Sequence, residues 1–457
     1  MRLIVCFLLL LPSLASASLP AAVPQKRGDF AFYYAERYTP TQLAWYSRFN
    51  IVSTGSFLPP QQVRSLHQAG SKLVYYEWTV AFYLPTGAES AAWGAALLRR
   101  HPEWLLNPDR PLFGNAGAGD IPAYYYDPFS PEFRTWRARH LIEEARSHHY
   151  DGVFFDTTGF SSVHPDAREA FSRRHPGVRY DNCVAELLKE LKRSAPDLIV
   201  FTNQGYRNAS DYLPYADYDL SESYMTTSGG GPRSTVYLEG IGYTQVAETY
   251  VHPWNDPANP GDSVAWYCHA LIDEPIRQHQ YRARICHLNY GQPRYEATDK
   301  ITGIAGRRAT VFRKVVDREA LYYSLAAALL MGQSSYYSAL PDLCADDAYF
   351  ADLGRPLGEA YVWDRRRQIA WRLFENGIAV VNASGQETDL SIDDRSLPRM
   401  ARGLWDVFAG RACLSFTVQH IIHIPTSRYE ASGRIAPAGR IYLYMRPMGG
   451  DRFMAKR

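Results

Sequence analysis

Residues 150–160 read YDGVFFDTTGF: an Asp-Gly turn, three unbroken apolar residues, then Asp156. A short run that is apolar at every position, bounded by turn signals, predicts a parallel strand covered on both faces. The same grammar recurs along the chain. Residues 198–205 (LIVFTNQG) end in Asn203 and Gln204, and residues 217–224 (DYDLSESY) deliver Glu222 and Tyr224. Residues 30–35, 50–55, 72–78, 283–291 and 334–340 bring the number of such runs to eight. Helix-forming stretches lie between them. One enters at Ser130-Pro131, a cap followed by a first-turn proline, and others cover residues 60–69, 185–191 and 318–330. Repeated strand–helix alternation predicts an α/β fold, a (β/α)8 TIM barrel.

At 457 residues the chain has room for that barrel and a second unit. From about residue 368 the pattern turns to short apolar runs separated by turn-like segments, which predicts antiparallel strands. The expected division is a barrel over residues 28–364 and a small C-terminal antiparallel β domain over residues 365–457. Residues 79–127 are long, irregular and rich in aromatics, and are expected to form a cleft wall ending at Asp127.

The N-terminus has the pattern of a leader. Arg2 precedes the apolar residues 3–11, and Ala15-Ser16-Ala17 offers a small-residue cleavage site. A signal peptide over residues 1–17, cleaved near Ala17, predicts export to the periplasm or beyond. No later stretch is apolar enough for a membrane span. A net charge of +2 without a basic run argues against a nucleic-acid partner. The five remaining cysteines are widely spaced and match no zinc pattern, so neither a metal nor a cofactor is expected. The oligomeric state stays open.

In a barrel the C-terminal strand ends meet at one mouth. Asp156 and Glu222 would therefore face one cleft, and two carboxyl groups are the minimal equipment for glycoside hydrolysis. Capping of the following turn is the plain alternative for Asp156. The other polar residues at strand ends are candidate substrate contacts: Tyr34, Tyr76, Glu77, Trp78, Asn203, Gln204, Tyr224 and Asn289, with Asp127 from the long loop. An ion pair is the plainer use of Glu77. Aromatic residues make up 14% of the chain, which suits stacking on sugars and equally suits a core.

YDGVFFDTTGF, the FTNQG strand end and the Glu of DLSES together resemble the endo-α-1,4-polygalactosaminidase barrels of glycoside hydrolase family 114 and their glycosidase-like relatives. The resemblance spans roughly residues 30 to 385. It implies an Asp on the fourth strand and a Glu on the sixth as the catalytic pair, which fall on Asp156 and Glu222. It also implies a polysaccharide substrate of galactosaminoglycan type, whose ammonium groups would suit Glu77. Substrate-assisted chitinases carry DGxDxDxE; here Phe154, Asp156 and Thr158 occupy the pattern and its terminal Glu is missing. Which carboxylate is the acid stays open, as does a catalytically inactive glycan-binding barrel. A scaffold would instead lock both carboxylates against arginines.

Overall fold

The computed structural model describes residues 25–83, 88–113, 122–156, 158–203, 210–231, 233–255, 263–273, 283–304, 307–338, 346–392, 403–415, 421–424, 430–431 and 434–445. The expected leader, Gln204 and Cys344 lie outside them. Eight strands form the barrel: β1 (Gly28–Tyr33), β2 (Phe49–Thr54), β3 (Lys72–Trp78), β4 (Gly152–Asp156), β5 (Ile199–Asn203), β6 (Tyr218–Glu222), β7 (Arg284–Tyr290) and β8 (Ser334–Ser338). Each pairs in parallel with the next. β8 returns to β1, where the Ser334 hydroxyl donates to Asp29 at 2.8 Å. The eight expected strands are the eight observed.

The central strand shows why the apolar run had to be unbroken. Val153, Phe154 and Phe155 are all buried, two toward the helices and one toward the barrel axis. Each such burial stabilises by roughly 1.5–3 kcal/mol. Gly152 permits the close approach of β4 to β5, because a Cβ there would stand 2.3 Å from the Ile199 carbonyl oxygen. Inside the barrel Phe30, Phe32, Phe154 and Phe201 interlock, with ring centroids 5.1–5.4 Å apart between facing pairs. This aromatic layer fills the axis and leaves chemistry to the rim above it.

The helices are α1 (Pro40–Tyr46), α2 (Pro60–Gln68), α3 (Ala88–Arg100), α4 (Pro131–Ser147), α5 (Pro165–Arg174), α6 (Tyr180–Ser194) and α7 (Arg318–Leu330). Ser130 caps α4 as expected, its hydroxyl accepting from the Phe133 N–H at 3.2 Å. α6 buries Val184, Leu187, Leu188 and Leu191, one helical stripe against the sheet.

Residues 79–127 depart from the expected cleft wall. They contain α3 and a ribbon pairing Ala81–Tyr83 with Ala123–Tyr125. Their rings Phe82, Trp104 and Tyr126 pack with Phe133 of α4 into a separate small core, with Trp93 against it. Two further insertions, after β6 and after β7, meet in a four-stranded sheet. Its strands are Gly242–Ala247, Arg233–Leu238, Arg307–Val315 and Arg294–Ile304. It left little mark on the residue pattern because its apolar side is thin: Val236, Leu238 and Val246, with Tyr295 and Phe312.

A six-stranded antiparallel sheet follows the barrel, pairing Val362–Asp364, Ile369–Leu373, Gly377–Asn382, Ala438–Met445, Gly403–Asp406 and Arg411–Ser415 in that order. Ile378 and Val380 face a core with Leu404, Ile422 and Tyr442. Ala379 and Val381 face the other way, into the barrel's own core. Cys183, Cys268, Cys286 and Cys413 are free thiols. Among the described residues no helix is long and apolar enough to cross a membrane, and no cluster of metal-ligating side chains occurs.

Candidate active site

Side chains alternate along a strand, so strand register decides which residues reach the barrel mouth. Trp78 pairs with Asp156, Tyr76 with Phe154, Asn203 with Leu220 and Glu222 with Leu288. These positions share the inward face, and Tyr290, two residues beyond Leu288, continues it.

The two carboxylates come together through one amide. The Asn203 side-chain nitrogen donates to Asp156 at 2.6 Å and to Glu222 at 3.0 Å. Laid end to end, those bonds put the facing oxygens about 5.6 Å apart at most. At the ~120° spread of an amide's two N–H bonds the distance is about 4.9 Å. Tyr76 donates a short hydrogen bond to the other Asp156 oxygen, and Tyr34 hydrogen-bonds Tyr76 in turn. Tyr290 donates to Glu222. Both carboxylates are half-buried, and neither forms an ion pair among the described residues.

Burial raises the Glu222 pKa, and the Asp156 charge raises it further, against the opposing hydrogen bonds of Asn203 and Tyr290. The Tyr34, Tyr76 and Tyr290 hydroxyls are pushed far up, first by burial and then by the neighbouring carboxylates. They remain proton donors throughout the working pH range. Glu222 is thus disposed to keep its proton and stands beside the hydrogen-bonded Asp156, a pairing that acid and nucleophile chemistry can use.

The remaining expected contacts divide. Trp78 stands on the inward face beside Asp156 and is half-buried. Tyr224 follows β6 and stacks on His252. Glu77 points outward and pairs with Arg137, which is 1% exposed, so its charge serves the α4 packing. Asp127 is also spent elsewhere: His175 contacts its carboxylate at 2.9 Å and Arg174 at 3.5 Å. Asn289 is fully buried, accepting from the Met225 and Thr226 N–H groups at 3.0 and 3.2 Å and donating to Ser335 at 3.1 Å. It holds the chain after β6 in place. These three are corrections to the expected substrate contacts.

Tyr290 was the residue to choose on β7, and period-two counting from the buried Leu288 would have found it. Tyr290→Phe is expected to lower kcat about tenfold and to shift the alkaline limb of the pH profile upward, since Glu222 loses a donor to its charged form. Asn289→Ala should instead lower the thermal midpoint by leaving two buried N–H groups unpaired, at about 1–3 kcal/mol each. Kinetics and melting curves on both variants separate the roles.

Eight parallel strands in a nearly closed barrel, with paired carboxyl groups over a tyrosine-lined mouth, have the architecture of a barrel glycosidase. The family model described as hypothetical glycosyl hydrolase family 15 matches residues 69–378, and the chain belongs to that family. The glycosidase-like resemblance read from the sequence stands with this match.

Among solved structures, the chain is similar to the glycoside hydrolase domain of PelA from Pseudomonas aeruginosa, at 21% identity over 68% of this chain and 95% of that one, TM-score 0.41. Aspergillus fumigatus Ega3, in complex with galactosamine, aligns at 10% identity over 70% and 93% of the two chains, TM-score 0.37. The maltogenic α-amylase AmyB from Thermotoga neapolitana covers 91% of this chain and 98% of its own, at 10% identity and TM-score 0.50, a likeness of fold. No curated protein sequence matches.

Proposed function

We propose that the protein is an exported, endo-acting glycosidase that cleaves a polysaccharide of galactosaminoglycan type with retention of anomeric configuration. The observation that supports this most is the single Asn203 nitrogen bonded to both carboxylates. It keeps the facing oxygens within about 5.6 Å, which favours the ~5–5.5 Å separation of retaining enzymes over the ~6.5–9.5 Å that leaves room for a water in inverting ones. In the first step Glu222 gives its proton to the glycosidic oxygen while Asp156 attacks the anomeric carbon. The leaving sugar departs with that proton, and a glycosyl ester of Asp156 forms. Glu222, now ionised, takes a proton from water; the water oxygen attacks the same carbon and Asp156 leaves as carboxylate. Tyr76 and Asn203 stabilise the Asp156 charge before attack and after release. Export rests on the apolar leader pattern at residues 3–17, and the polymer class on the family resemblance.

Proton NMR of the products, recorded before mutarotation, tests this on a partly deacetylated galactosaminoglycan. The first reducing end to appear should have the configuration of the bond cleaved. An inverted anomer would remove Asp156 as nucleophile and leave it as a base.

A further inference from the structure

A second cavity, of about 400 Å³, lies at the same end of the barrel as the carboxylate pair and shares no residue with it. The two insertions build it together with the N-terminus of α7. Ser234, Thr235 and Val236 come from the insertion after β6, Arg294, Tyr295 and Phe312 from the one after β7, and Asp317 caps α7. Glu248 and Thr249 close it.

Two of its three charged side chains lack a close partner among the described residues. The side chains of Glu248 and Arg294 are half-buried, yet neither makes a hydrogen bond or ion pair among the described residues. Glu248 and Asp317 both feel the Arg294 charge at longer range. Half-buried charges of opposite sign, close enough to interact and left unpaired, are what a site waiting for a polar ligand contains. Asp317 is 1% exposed and is occupied by the Ala320 N–H at 3.2 Å and by Thr249. Burial pushes its pKa up to about 6, so at pH 7 it adds a second negative charge. The lining then has two carboxylates to one guanidinium, which favours a cation. Tyr295 and Phe312 supply an apolar surface, and Ser234 and Thr235 supply hydroxyls. An apolar face, a hydroxyl rim and a surplus carboxylate complement a pyranose ring that carries an ammonium group.

We propose that this cavity is an accessory subsite for a hexosamine unit of the glycan, with Glu248 taking the ammonium group and Arg294 the ring hydroxyls. Arg294 follows Tyr290 by four residues, so their Cα atoms are separated by about 14 Å at most. A glycan held across the carboxylate pair thus has only a short way to run to the cavity. This function for the cavity rests on the glycan-cleaving reading of the chain; the occupancy of the cavity by a hexosamine does not.

The test titrates galactosamine at pH 7 into Glu222→Gln protein with and without Glu248→Gln, by calorimetry. Any binding at the catalytic mouth is common to both, so the difference isolates the cavity. The second replacement should weaken one galactosamine site about tenfold or more. N-acetylgalactosamine and galacturonate, which lack the ammonium group, should bind weakly and be indifferent to it. Identical galactosamine titrations would overturn the proposal, as would tighter binding of galacturonate. In the otherwise wild-type enzyme, Glu248→Gln should raise KM for the polymer several-fold with kcat unchanged, and leave turnover of a short aryl glycoside as it was. An equal loss on both substrates would also overturn it. Should the wild-type chain prove inactive on every glycan, the catalytic reading fails and the titration still decides the cavity.

Discussion

Glu222→Gln is expected to slow hydrolysis of the polymer by roughly 10³-fold, about 4 kcal/mol of transition-state stabilisation. Gln keeps the shape of Glu and can still meet Asn203 and Tyr290, so folding should be unaffected. What is lost is the proton for the departing oxygen. The variant should therefore be far less impaired on an aryl glycoside whose leaving group needs no proton, and there the glycosyl ester of Asp156 should accumulate. Wild-type activity should fall as pH rises through the Glu222 pKa, which burial and the Asp156 charge hold above that of an ordinary glutamate. On the activated substrate, where acid assistance is not needed, Glu222→Gln should lose that alkaline limb. Asp156→Asn should abolish turnover on both substrates. Reducing-end release and single-turnover kinetics read all three effects. Unchanged turnover in Glu222→Gln would sink the assignment, and tight glycan binding by the wild-type chain with no product would return the inactive-binder reading.

How far the site could be read in advance follows from what a strand signal contains. Asp156, Asn203 and Glu222 were legible because each ends an apolar run, and in a barrel the end of such a run is the mouth. Whether a residue near a strand end faces in or out is a matter of phase, and phase is set by register. Glu77 and Asn289 each sit one position out of phase with the inward residues Tyr76, Trp78 and Tyr290. They turned instead to Arg137 and to the backbone of residues 225–226. Asp127 shows a different limit: its partners, Arg174 and His175, come from the end of α5, nearly fifty residues away in sequence, and no local pattern announces them. The unbroken runs marked the barrel strands, and the short apolar runs after residue 368 the antiparallel strands of the C-terminal sheet. The insertion sheet stayed hidden because surface strands alternate weakly when one face carries charge.

The largest expected loss of stability lies outside the catalytic pair, where the C-terminal sheet meets α7. Glu319 on α7 and Arg440 on the strand Ala438–Met445 form a two-pronged ion pair at 2.9 and 3.2 Å, with side chains 5% and 3% exposed. The backbones nearly touch beside it: a Cβ on Gly439 would stand 2.3 Å from the Tyr322 carbonyl oxygen. Water has little room to replace a lost partner. Arg440→Met should therefore strand the Glu319 charge in a dry interface and cost about 3–5 kcal/mol, a shift easily seen in urea midpoints. The loss comes from the uncompensated charge, because the attraction within a buried pair is largely offset by its desolvation. Glu319→Leu combined with Arg440→Met should accordingly recover most of the stability, through apolar contact with Phe408, over whose ring the Arg440 guanidinium now lies at 3.9 Å. If the double variant is no more stable than the single one, the pair contributes specific geometry that apolar packing does not reproduce. If Arg440→Met alone costs less than about 1 kcal/mol, solvent reaches Glu319 and the interface is looser than its burial implies.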